Sequence, residues 1–282
     1  MSLSIHDHDR RKSGLTYVYA VLSRRAGGVS IGVNLNTNSA CNWRCVYCEI
    51  PDLTFGNAPP CDLALLEREL RTLLDDVLRG DWMTRNVPEE RWRVLKDVAI
   101  SGNGEPTSCP EFPEVVDTLG RVLREYGLAG SVQLVLITNG SLVHKPEVQR
   151  GLAALHALGG IVWYKLDSAT PEGQARMNTS KAGVERARAN LVTAARTCTT
   201  WIQTMALAWN GQPPSTVEQE AYLEFVRGLV RERVPVQGVL LYGMARPSYQ
   251  PEAAVLSALP REWMEDYARR IEAAGLPVRL SV

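Results

Sequence analysis

The strict alternation of predicted strands and helices is the feature that most constrains how this chain of 282 residues can fold. Six apolar runs of strand length are each followed by a segment whose apolar residues recur every three or four positions, which is the helical period. The predicted strands cover residues 29–35, 95–101, 132–138, 161–167, 200–208 and 236–242. Six strand–helix units in this order predict a parallel sheet with right-handed crossover connections, which is an α/β fold.

Two further strands are predicted to flank the six units. Residues 16–22 form an extended run that is joined to the first unit through a turn-prone connection over residues 24–28, so an N-terminal hairpin is predicted. Residues 277–282 predict a short final strand. Because no linker or charge block divides the chain, we expect an N-terminal extension with a hairpin strand over residues 1–28 and a single partial (β/α)6 barrel over residues 29–282.

The residue types least expected in a hydrophobic core come after the predicted strands and before the next helix. The six groups are residues 41–48, 102–107, 138–140, 167–172, 209–214 and 243–247. In α/β barrels, the loops at the carboxyl ends of the strands build the active site. The sequence therefore predicts one functional site at that end of the barrel.

The first of these groups contains Cys41, Cys45 and Cys48, which are separated by three and then two residues. Three thiolates on one short loop can ligate three irons of a [4Fe–4S] cluster and leave the fourth iron without a protein ligand. A structural zinc site usually shows four ligands in two pairs, whereas the next candidate here is Cys61, with no histidine in between. A disulfide framework is typical of small, cysteine-dense chains, and six cysteines in 282 residues do not fit it. We therefore predict an iron–sulfur cluster.

The overall composition argues against several classes of protein. The first thirteen residues are polar and charged, unlike the apolar core of a signal peptide. No stretch approaches the roughly eighteen consecutive apolar residues of a transmembrane span. The 31 basic and 31 acidic residues give a formal net charge of zero, whereas proteins that grip many phosphates usually carry a basic excess. We expect a cytoplasmic protein without membrane contact, and nucleic acid is a disfavoured but open partner.

Several motifs together resemble those of a known superfamily. The cysteine loop, with the aromatic Tyr47 before its last cysteine, resembles the signature of the radical S-adenosylmethionine (radical SAM) superfamily. The segments that look like the wyosine-synthetase-like branch of that superfamily are residues 23–25, 30–34, 101–107, 138–140 and 165–167. This resemblance covers most of the chain. It implies a partial barrel and two cofactors, a [4Fe–4S] cluster and SAM, with the amino and carboxylate groups of SAM bound to the open iron.

The resemblance also implies roles for individual residues. The three cysteines would ligate the cluster, and Tyr47 would lie against the adenine of SAM. Residues 102–106 would offer backbone groups to the methionine ammonium, since glycine permits close approach of the main chain. Asn139 would lie near the ribose or the methionine carboxylate, and residues 244–246 would border the adenine. The predicted cofactor-binding residues are Tyr47, Gly102, Asn103, Gly104, Glu105, Pro106, Asn139, Ser168, Gln203, Met244 and Arg246.

Alternation along the fourth predicted strand supplies two candidate catalytic residues. It places Trp163, Lys165 and Asp167 on one face, toward the barrel interior, and their neighbours on the face that meets the helices. Burying two charges is costly unless they pair or bind a ligand. Lys165 and Asp167 are therefore interpreted either as a structural ion pair or as contacts to the substrate or SAM. Gln203 and Met205, on the fifth predicted strand, carry the same two interpretations.

The function implied by the resemblance is reductive cleavage of SAM to methionine and a 5′-deoxyadenosyl radical, which abstracts hydrogen from a substrate in the barrel mouth. We expect a small-molecule or nucleotide-sized substrate and an electron donor such as flavodoxin or ferredoxin. One alternative is a tRNA-modifying enzyme of the wyosine type. Those enzymes ligate a second cluster through cysteines that precede the SAM-binding loop, whereas no cysteine precedes Cys41 here. Another alternative is a non-catalytic iron–sulfur sensor or binding protein.

The remaining cysteines, Cys61, Cys109 and Cys198, fall in three different connections and share no metal-binding spacing. Free cysteines are commonly small, buried hydrophobic residues. Cys198 precedes the fifth predicted strand, so it should lie at the opposite end of the barrel from the cysteine loop. We therefore predict one cluster per chain and not two.

Overall fold

A computed structural model describes residue 3 and residues 13–23, 26–180 and 182–282 of the protein. The strands are β1 (Val18–Ser23), β2 (Gly28–Val33), β3 (Ala40–Cys41), β4 (Thr54–Phe55), β5 (Leu95–Ile100), β6 (Gln133–Thr138), β7 (Ile161–Lys165), β8 (Thr199–Ala206), β9 (Ala208–Trp209), β10 (Val236–Gly243), β11 (Leu256–Ser257) and β12 (Val278–Ser281). The α-helices are α1 (Leu63–Arg79), α2 (Trp82–Asn86), α3 (Phe112–Glu125), α4 (Pro146–Ala157), α5 (Pro171–Asn178), α6 (Val184–Thr197), α7 (Thr216–Arg231) and α8 (Arg261–Ala273).

One curled sheet organises the described residues. Its strand order is β1-β2-β5-β6-β7-β8-β10-β12. β1 runs antiparallel to β2, and each later pair of neighbours in the sheet is parallel. The strands form a half barrel in which helices connect the parallel strands, so the predicted α/β partial barrel with an N-terminal hairpin is confirmed.

The strands at the two edges of the sheet can be compared with their predictions. The hairpin is formed as predicted, with Val18 opposite Val33 and Ser23 opposite Gly28. Residues 24 and 25 of its connection, and most of the predicted extension over residues 1–12, lie outside the described residues. At the other end, the predicted final strand is β12, which pairs with β10 and extends the parallel part of the sheet beyond the six predicted units.

The hydrophobic core lies between the sheet and the helices. Helix α1 shows how the sequence builds it: Leu66, Leu70 and Leu74 recur at four-residue steps and are fully buried. The side chain of Asp62 caps this helix by accepting a hydrogen bond from the Leu65 N–H at 2.9 Å. None of the helices in the described part of the chain is long and apolar enough to cross a membrane.

Helix α5 was not predicted, because it is short and the sequence after the fourth strand was interpreted as a loop. Thr170 caps it by accepting a hydrogen bond from the Gly173 N–H at 3.0 Å, and Pro171 occupies its first turn. The helix ends at Asn178, and Thr179 follows in the left-handed conformation with φ 52°. Helix α5 brings Asn178 against the cysteine loop.

Candidate functional site

A pocket of about 290 Å³ opens at the carboxyl end of the barrel. Its walls are the loops after β2, β5 and β6, the end of β10 and the inner faces of β1, β2, β5, β7 and β8. The predicted site residues that line it are Cys41, Cys45, Tyr47, Cys48, Gly102, Asn103, Gly104, Glu105, Asn139, Lys165, Gln203 and Arg246. Residues that are far apart in sequence therefore meet at the end of the barrel where barrel enzymes carry their sites.

Four predicted site residues do not line this pocket. Pro106 is buried in the first turn of a short 3₁₀ helix. Asp167 and Ser168 line a neighbouring cavity of about 240 Å³ instead. Met244 packs against an apolar cluster that includes Val46, Tyr47 and Met205, and its two sequence neighbours line the pocket. Pro106, Ser168 and Met244 therefore do not line the main pocket, and their contacts with SAM stay predictions.

The cysteine loop (residues 41–48) is fixed by the last connection of the barrel and by α5. The Arg44 guanidinium donates two hydrogen bonds to the Glu252 carboxylate, at 2.6 and 2.7 Å. The Ser248 hydroxyl donates to the Val46 carbonyl at 2.6 Å. The Val46 N–H in turn donates to the carbonyl of Met177 in α5, at 2.9 Å. These contacts hold the loop against the mouth of the barrel.

The Cys41 and Cys45 thiols each accept a hydrogen bond from nitrogen. The Trp43 N–H donates to Cys41 Sγ at 3.4 Å, and Asn178 Nδ2 donates to Cys45 Sγ at 3.2 Å. Burial raises the pKa of Cys41 to about 12 and that of Cys45 to about 11. These thiols are therefore protonated at neutral pH until a positively charged metal centre displaces their protons.

The donor set is three thiols on one short loop, which is the ligand type of iron–sulfur clusters. Across the ranges that the structure describes, no group of three or more His, Cys, Asp or Glu side chains is arranged to hold a metal ion. In a four-iron cluster each thiolate binds a different iron, so the thiols need not converge on one point. N–H donors aimed at sulfur are also the contacts that tune such clusters. The three loop cysteines are thus suited to hold a [4Fe–4S] cluster.

Asp167 links three elements around the cysteine loop. Its carboxylate accepts hydrogen bonds from the Tyr47 hydroxyl, from Asn178 Nδ2 at 2.7 Å and from the Met205 N–H at 2.9 Å. Burial raises the pKa of Tyr47 well above its ordinary value, so its hydroxyl is the donor. Asp167 therefore positions Tyr47 and, through Asn178, the Cys45 sulfur.

Lys165 points into the pocket, and its buried neighbours on β7 face the helices, which confirms the predicted alternation. Its Nζ atom lies 4.9 Å from the centroid of the Tyr47 ring. Burial lowers the pKa of Lys165, but Tyr242, Cys45 and Asp167 together raise it above its usual value. Lys165 and Asp167 therefore have different partners, and Lys165 presents an ammonium group to the pocket.

Glu105 is 2% exposed and joins the loop after β5 to the end of β6. Its carboxylate accepts from the Thr107 N–H at 3.1 Å and from the Thr107 hydroxyl at 2.6 Å. It also accepts from the Thr138 hydroxyl and the Asn139 N–H, each at 2.6 Å. Burial raises the pKa of Glu105, while these four hydrogen bonds favour its ionised form. The predicted SAM contact is thus also a buried connector of two site loops.

Asn139 connects the loop after β6 to the cysteine loop. Its Nδ2 donates to Asn42 Oδ1 at 2.8 Å, and its Oδ1 accepts from the Ser141 N–H at 3.0 Å. Asn42 Nδ2 donates back to the Ser141 hydroxyl at 2.8 Å. The Asn139 side chain is therefore part of the scaffold that sets the distance between the two loops.

The two glycines of the loop after β5 are required by the packing of the protein itself, and their predicted approach to SAM stays a prediction. A Cβ atom on Gly102 would lie 2.1 Å from Asn34 Oδ1, and one on Gly104 would lie 2.1 Å from the Ala40 carbonyl oxygen. The Asn103 N–H between them donates to Asn34 Oδ1 at 2.9 Å. These glycines allow the loop to pack against the segment that leads into the cysteine loop.

Sequence reasoning missed Asn178 and Glu49. Asn178 contacts both Cys45 and Asp167, and the signal that could have placed it is the helix start at Thr170-Pro171. Glu49 accepts a hydrogen bond from Arg246 Nε at 2.6 Å, which closes one side of the pocket. No local sequence pattern predicts this pair, because Glu49 and Arg246 are 197 positions apart in the sequence.

Comparison with known sequences gives partial matches. No protein-family model matches the chain. The chain is 27% identical over 158 residues to a UPF0026 protein of Helicobacter pylori (strain J99) and 30% identical over 149 residues to one of Helicobacter pylori (strain 26695). It is 27% identical over 169 residues to a UPF0026 protein of Synechocystis. These matches cover 56, 52 and 60% of this chain and 44, 41 and 54% of the relatives, so the chain spans about half the length of the curated relatives it matches.

Comparison with solved structures identifies the fold. TYW1 with a lysine–pyruvate adduct bound has a TM-score of 0.58 at 14% identity, over 89% of this chain and 74% of that one. A radical SAM methyltransferase from Sphaerobacter thermophilus has a TM-score of 0.57 at 13% identity, over 93% of this chain and 68% of that one. A cysteine-to-serine mutant of spore photoproduct lyase has a TM-score of 0.57 at 10% identity, over 94% of this chain and 79% of that one. The chain therefore has the partial-barrel fold of radical SAM enzymes, which confirms the resemblance seen in the sequence.

Proposed function

We propose that the protein is a radical SAM enzyme that holds a [4Fe–4S] cluster on Cys41, Cys45 and Cys48 and binds SAM in the adjoining pocket. The observation that supports this most is the position of the three cysteines, which line one pocket at the carboxyl end of a barrel of this fold. When bound, the cluster would supply an electron to the SAM sulfonium, and the resulting 5′-deoxyadenosyl radical would take hydrogen from a substrate.

The contribution of this chain is to hold the reacting groups in place. Asp167 and Asn178 fix Tyr47 and the Cys45 sulfur, while Glu105 and Asn139 fix the loops opposite them. A displacement of about 1 Å can cost about a hundredfold in rate, so positioning residues of this kind matter as much as ligands. The same enclosure limits access of other molecules to a reactive intermediate.

Lys165 is proposed to bind an anionic group, which is the carboxylate of SAM or of the substrate. TYW1 has been solved with a lysine–pyruvate adduct, and forming an imine requires a neutral amine as nucleophile. Lys165 Nζ lies 4.9 Å from the centroid of the Tyr47 ring, a position that favours a protonated ammonium. A charged contact is therefore the better proposal for Lys165 than a covalent adduct.

Lys165→Met is expected to weaken SAM binding, because methionine fills similar space without the charge. A hydrogen bond to a charged group is worth about 1.5–3 kcal/mol, which corresponds to roughly a 10–150-fold rise in Kd. Lys165→Arg is the matched control and should retain most of the affinity. Titration of the reconstituted protein with SAM measures both. An unchanged Kd in Lys165→Met would remove Lys165 from the SAM site.

The substrate is proposed to be a small molecule or a nucleotide-sized compound, with flavodoxin or ferredoxin as the class of electron donor. The cysteine loop and the barrel interior line one cavity of about 290 Å³, so SAM and the substrate would share this space. This favours a small substrate over a large one. A tRNA substrate is the alternative that the wyosine-synthetase-like motifs of the sequence imply.

The proposal is tested by SAM cleavage in the anaerobically reconstituted and reduced protein. We expect 5′-deoxyadenosine and methionine to form in the native protein and not in the variant with alanine at Cys41, Cys45 and Cys48. Both products are quantified by chromatography and mass spectrometry. A native protein that carries a full cluster and yields no 5′-deoxyadenosine would favour the non-catalytic sensor instead.

A further inference from the structure

Gln203 is a buried polar side chain whose amide has no partner in the protein. It lies on β8, is 2% exposed and lines the cavity of about 290 Å³. Its main-chain carbonyl accepts a hydrogen bond from the Leu166 N–H at 3.0 Å. Within the described ranges of the chain, the side-chain amide makes no hydrogen bond. Because an unpaired amide removed from water is costly, a purely structural role does not account for this side chain.

The side chains beside Gln203 leave its amide unsatisfied. In the sheet it stands between Lys165 of β7 and Leu240 of β10. Leu240 has no polar side-chain atom, and neither has Met205, the next residue on the same face of β8. Lys165 Nζ lies 4.9 Å from the centroid of the Tyr47 ring, and in the part of the chain that the structure describes it makes no hydrogen bond to Gln203. The amide therefore depends on a molecule that enters the pocket.

Gln203 lies deeper in the barrel than the region predicted for the adenine of SAM. Its neighbour on β10 is Leu240, whereas Gly243, the last residue of β10, pairs with Ala206. These levels are three residues apart, which is about 10 Å at a rise of about 3.3 Å per residue. Residues 244–246, the predicted border of the adenine, follow the end of β10. The Gln203 amide therefore faces the inner part of the pocket, which the predicted SAM contacts leave to the substrate.

The donors and acceptors of the amide restrict the chemistry of its partner. A glutamine side chain has one acceptor oxygen and two N–H donors. A carboxylate only accepts and an ammonium only donates, so either would leave part of the Gln203 amide unpaired. A second amide presents an acceptor and a donor side by side and satisfies both atoms. Trp163, on the same inner face of β7 as Lys165, also lines the pocket and adds an aromatic surface for a planar group.

We propose that Gln203 is a specificity-determining residue that binds an amide-type group of the substrate, which is a carboxamide or a lactam. Gln203 Nε2 donates to the carbonyl oxygen of that group, and Gln203 Oε1 accepts from its N–H. This inference rests on the proposed function, because it takes the inner part of the pocket as the substrate site. It narrows the substrate to small molecules that carry a planar amide-type group.

The test is anaerobic calorimetric titration of the reconstituted, SAM-saturated protein with benzamide and benzoate, two probes of the same shape. Benzamide offers an amide, whereas benzoate offers a carboxylate. We expect benzamide to bind about tenfold more tightly than benzoate, or better, because only benzamide pairs with both atoms of the Gln203 amide. Gln203→Met keeps the length of the side chain without the amide. It should raise the Kd of benzamide roughly 5–150-fold, the range expected for two lost hydrogen bonds.

Gln133→Met is the matched control. Gln133 lies on β6, where its Nε2 donates to the Gly159 carbonyl at 2.8 Å, and it is not among the described residues that line the pocket. This variant should bind benzamide with the native Kd. Absence of benzamide binding, benzoate binding at least as tight, an unchanged benzamide Kd in Gln203→Met, or displacement of benzamide by SAM would overturn the inference. If Gln203→Met does not fold, the ratio of the two probes in the native protein and their competition with SAM decide.

SAM cleavage and iron content are measured on the same preparation, which separates this inference from the proposed function. Formation of 5′-deoxyadenosine without selective benzamide binding refutes only the role of Gln203. Benzamide binding that depends on Gln203, in an iron-loaded protein that forms no 5′-deoxyadenosine, refutes only the proposed function.

Discussion

Replacing Cys45 with alanine is expected to remove the iron–sulfur cluster and to abolish SAM cleavage. Cys45 is one of three cysteines in the loop, and its sulfur is held by Asn178 at 3.2 Å. A cluster that loses one of only three protein ligands becomes labile. Iron content and 5′-deoxyadenosine should both fall to the level of the variant without any loop cysteine. Iron analysis and product quantification on the same preparation measure the two effects.

The matched control is Cys198→Ala. Cys198 is buried where α6 leads into β8, at the opposite end of the barrel from the cysteine loop. This variant should keep its iron and its activity, whereas Cys45→Ala should keep only its fold, because the main core lies between the sheet and the helices. Circular dichroism checks the fold of both variants. Iron-loaded, active Cys45→Ala protein would contradict the assignment of the cluster ligands.

Replacing Glu105 with alanine is expected to destabilise the protein by about 3 kcal/mol or more, because each hydrogen bond to a charged group is worth about 1.5–3 kcal/mol. The carboxylate binds the Thr107 and Asn139 N–H groups and the hydroxyls of Thr107 and Thr138. These groups lie at the ends of β5 and β6, next to the proposed SAM site, so SAM affinity should fall as well. Urea unfolding measures the first effect, and SAM titration of the folded variant measures the second.

Glu105→Gln separates the loss of the network from the loss of the charge. Glutamine keeps the size of the side chain and one acceptor oxygen, but its amide nitrogen cannot accept from the Asn139 N–H or from the threonines. Its free energy of unfolding should therefore lie between those of the native protein and Glu105→Ala. If both variants have the same urea midpoint of unfolding as the native protein, Glu105 does not hold the two loops together.

The sheet and the site end were predictable from the sequence because their signals are local. Apolar periodicity marks each strand and helix, and the order of elements selects a parallel sheet. Glu69 shows where such signals stop: it is buried within the apolar face of α1. Its carboxylate accepts hydrogen bonds from the N–H groups of Thr16, Tyr17 and Val18 at 2.7, 2.7 and 3.2 Å. Its partners lie about fifty positions away, so no pattern within the helix predicts that it anchors the edge of the sheet.

The candidate site likewise combines local sequence signals with contacts between distant residues. The spacing of the cysteine loop is a local signal, and it predicted the cluster ligands together. The contact of Asn178 with Cys45 depends on how distant connections pack, so spacing alone could not predict it. Met244 was predicted to border the adenine, and it packs against an apolar cluster that includes Tyr47, which is also predicted to lie against the adenine. Its contact with SAM stays a prediction.

We propose that three cysteines hold one cluster whose fourth iron is open to SAM. Electron paramagnetic resonance of the reduced, reconstituted protein, recorded with and without SAM and combined with iron and sulfide analysis, tests it most directly. We expect about four iron and four sulfide per chain and a [4Fe–4S]⁺ signal that changes when SAM is added. A signal that SAM leaves unchanged, or one that persists with alanine at Cys41, Cys45 and Cys48, would contradict the account.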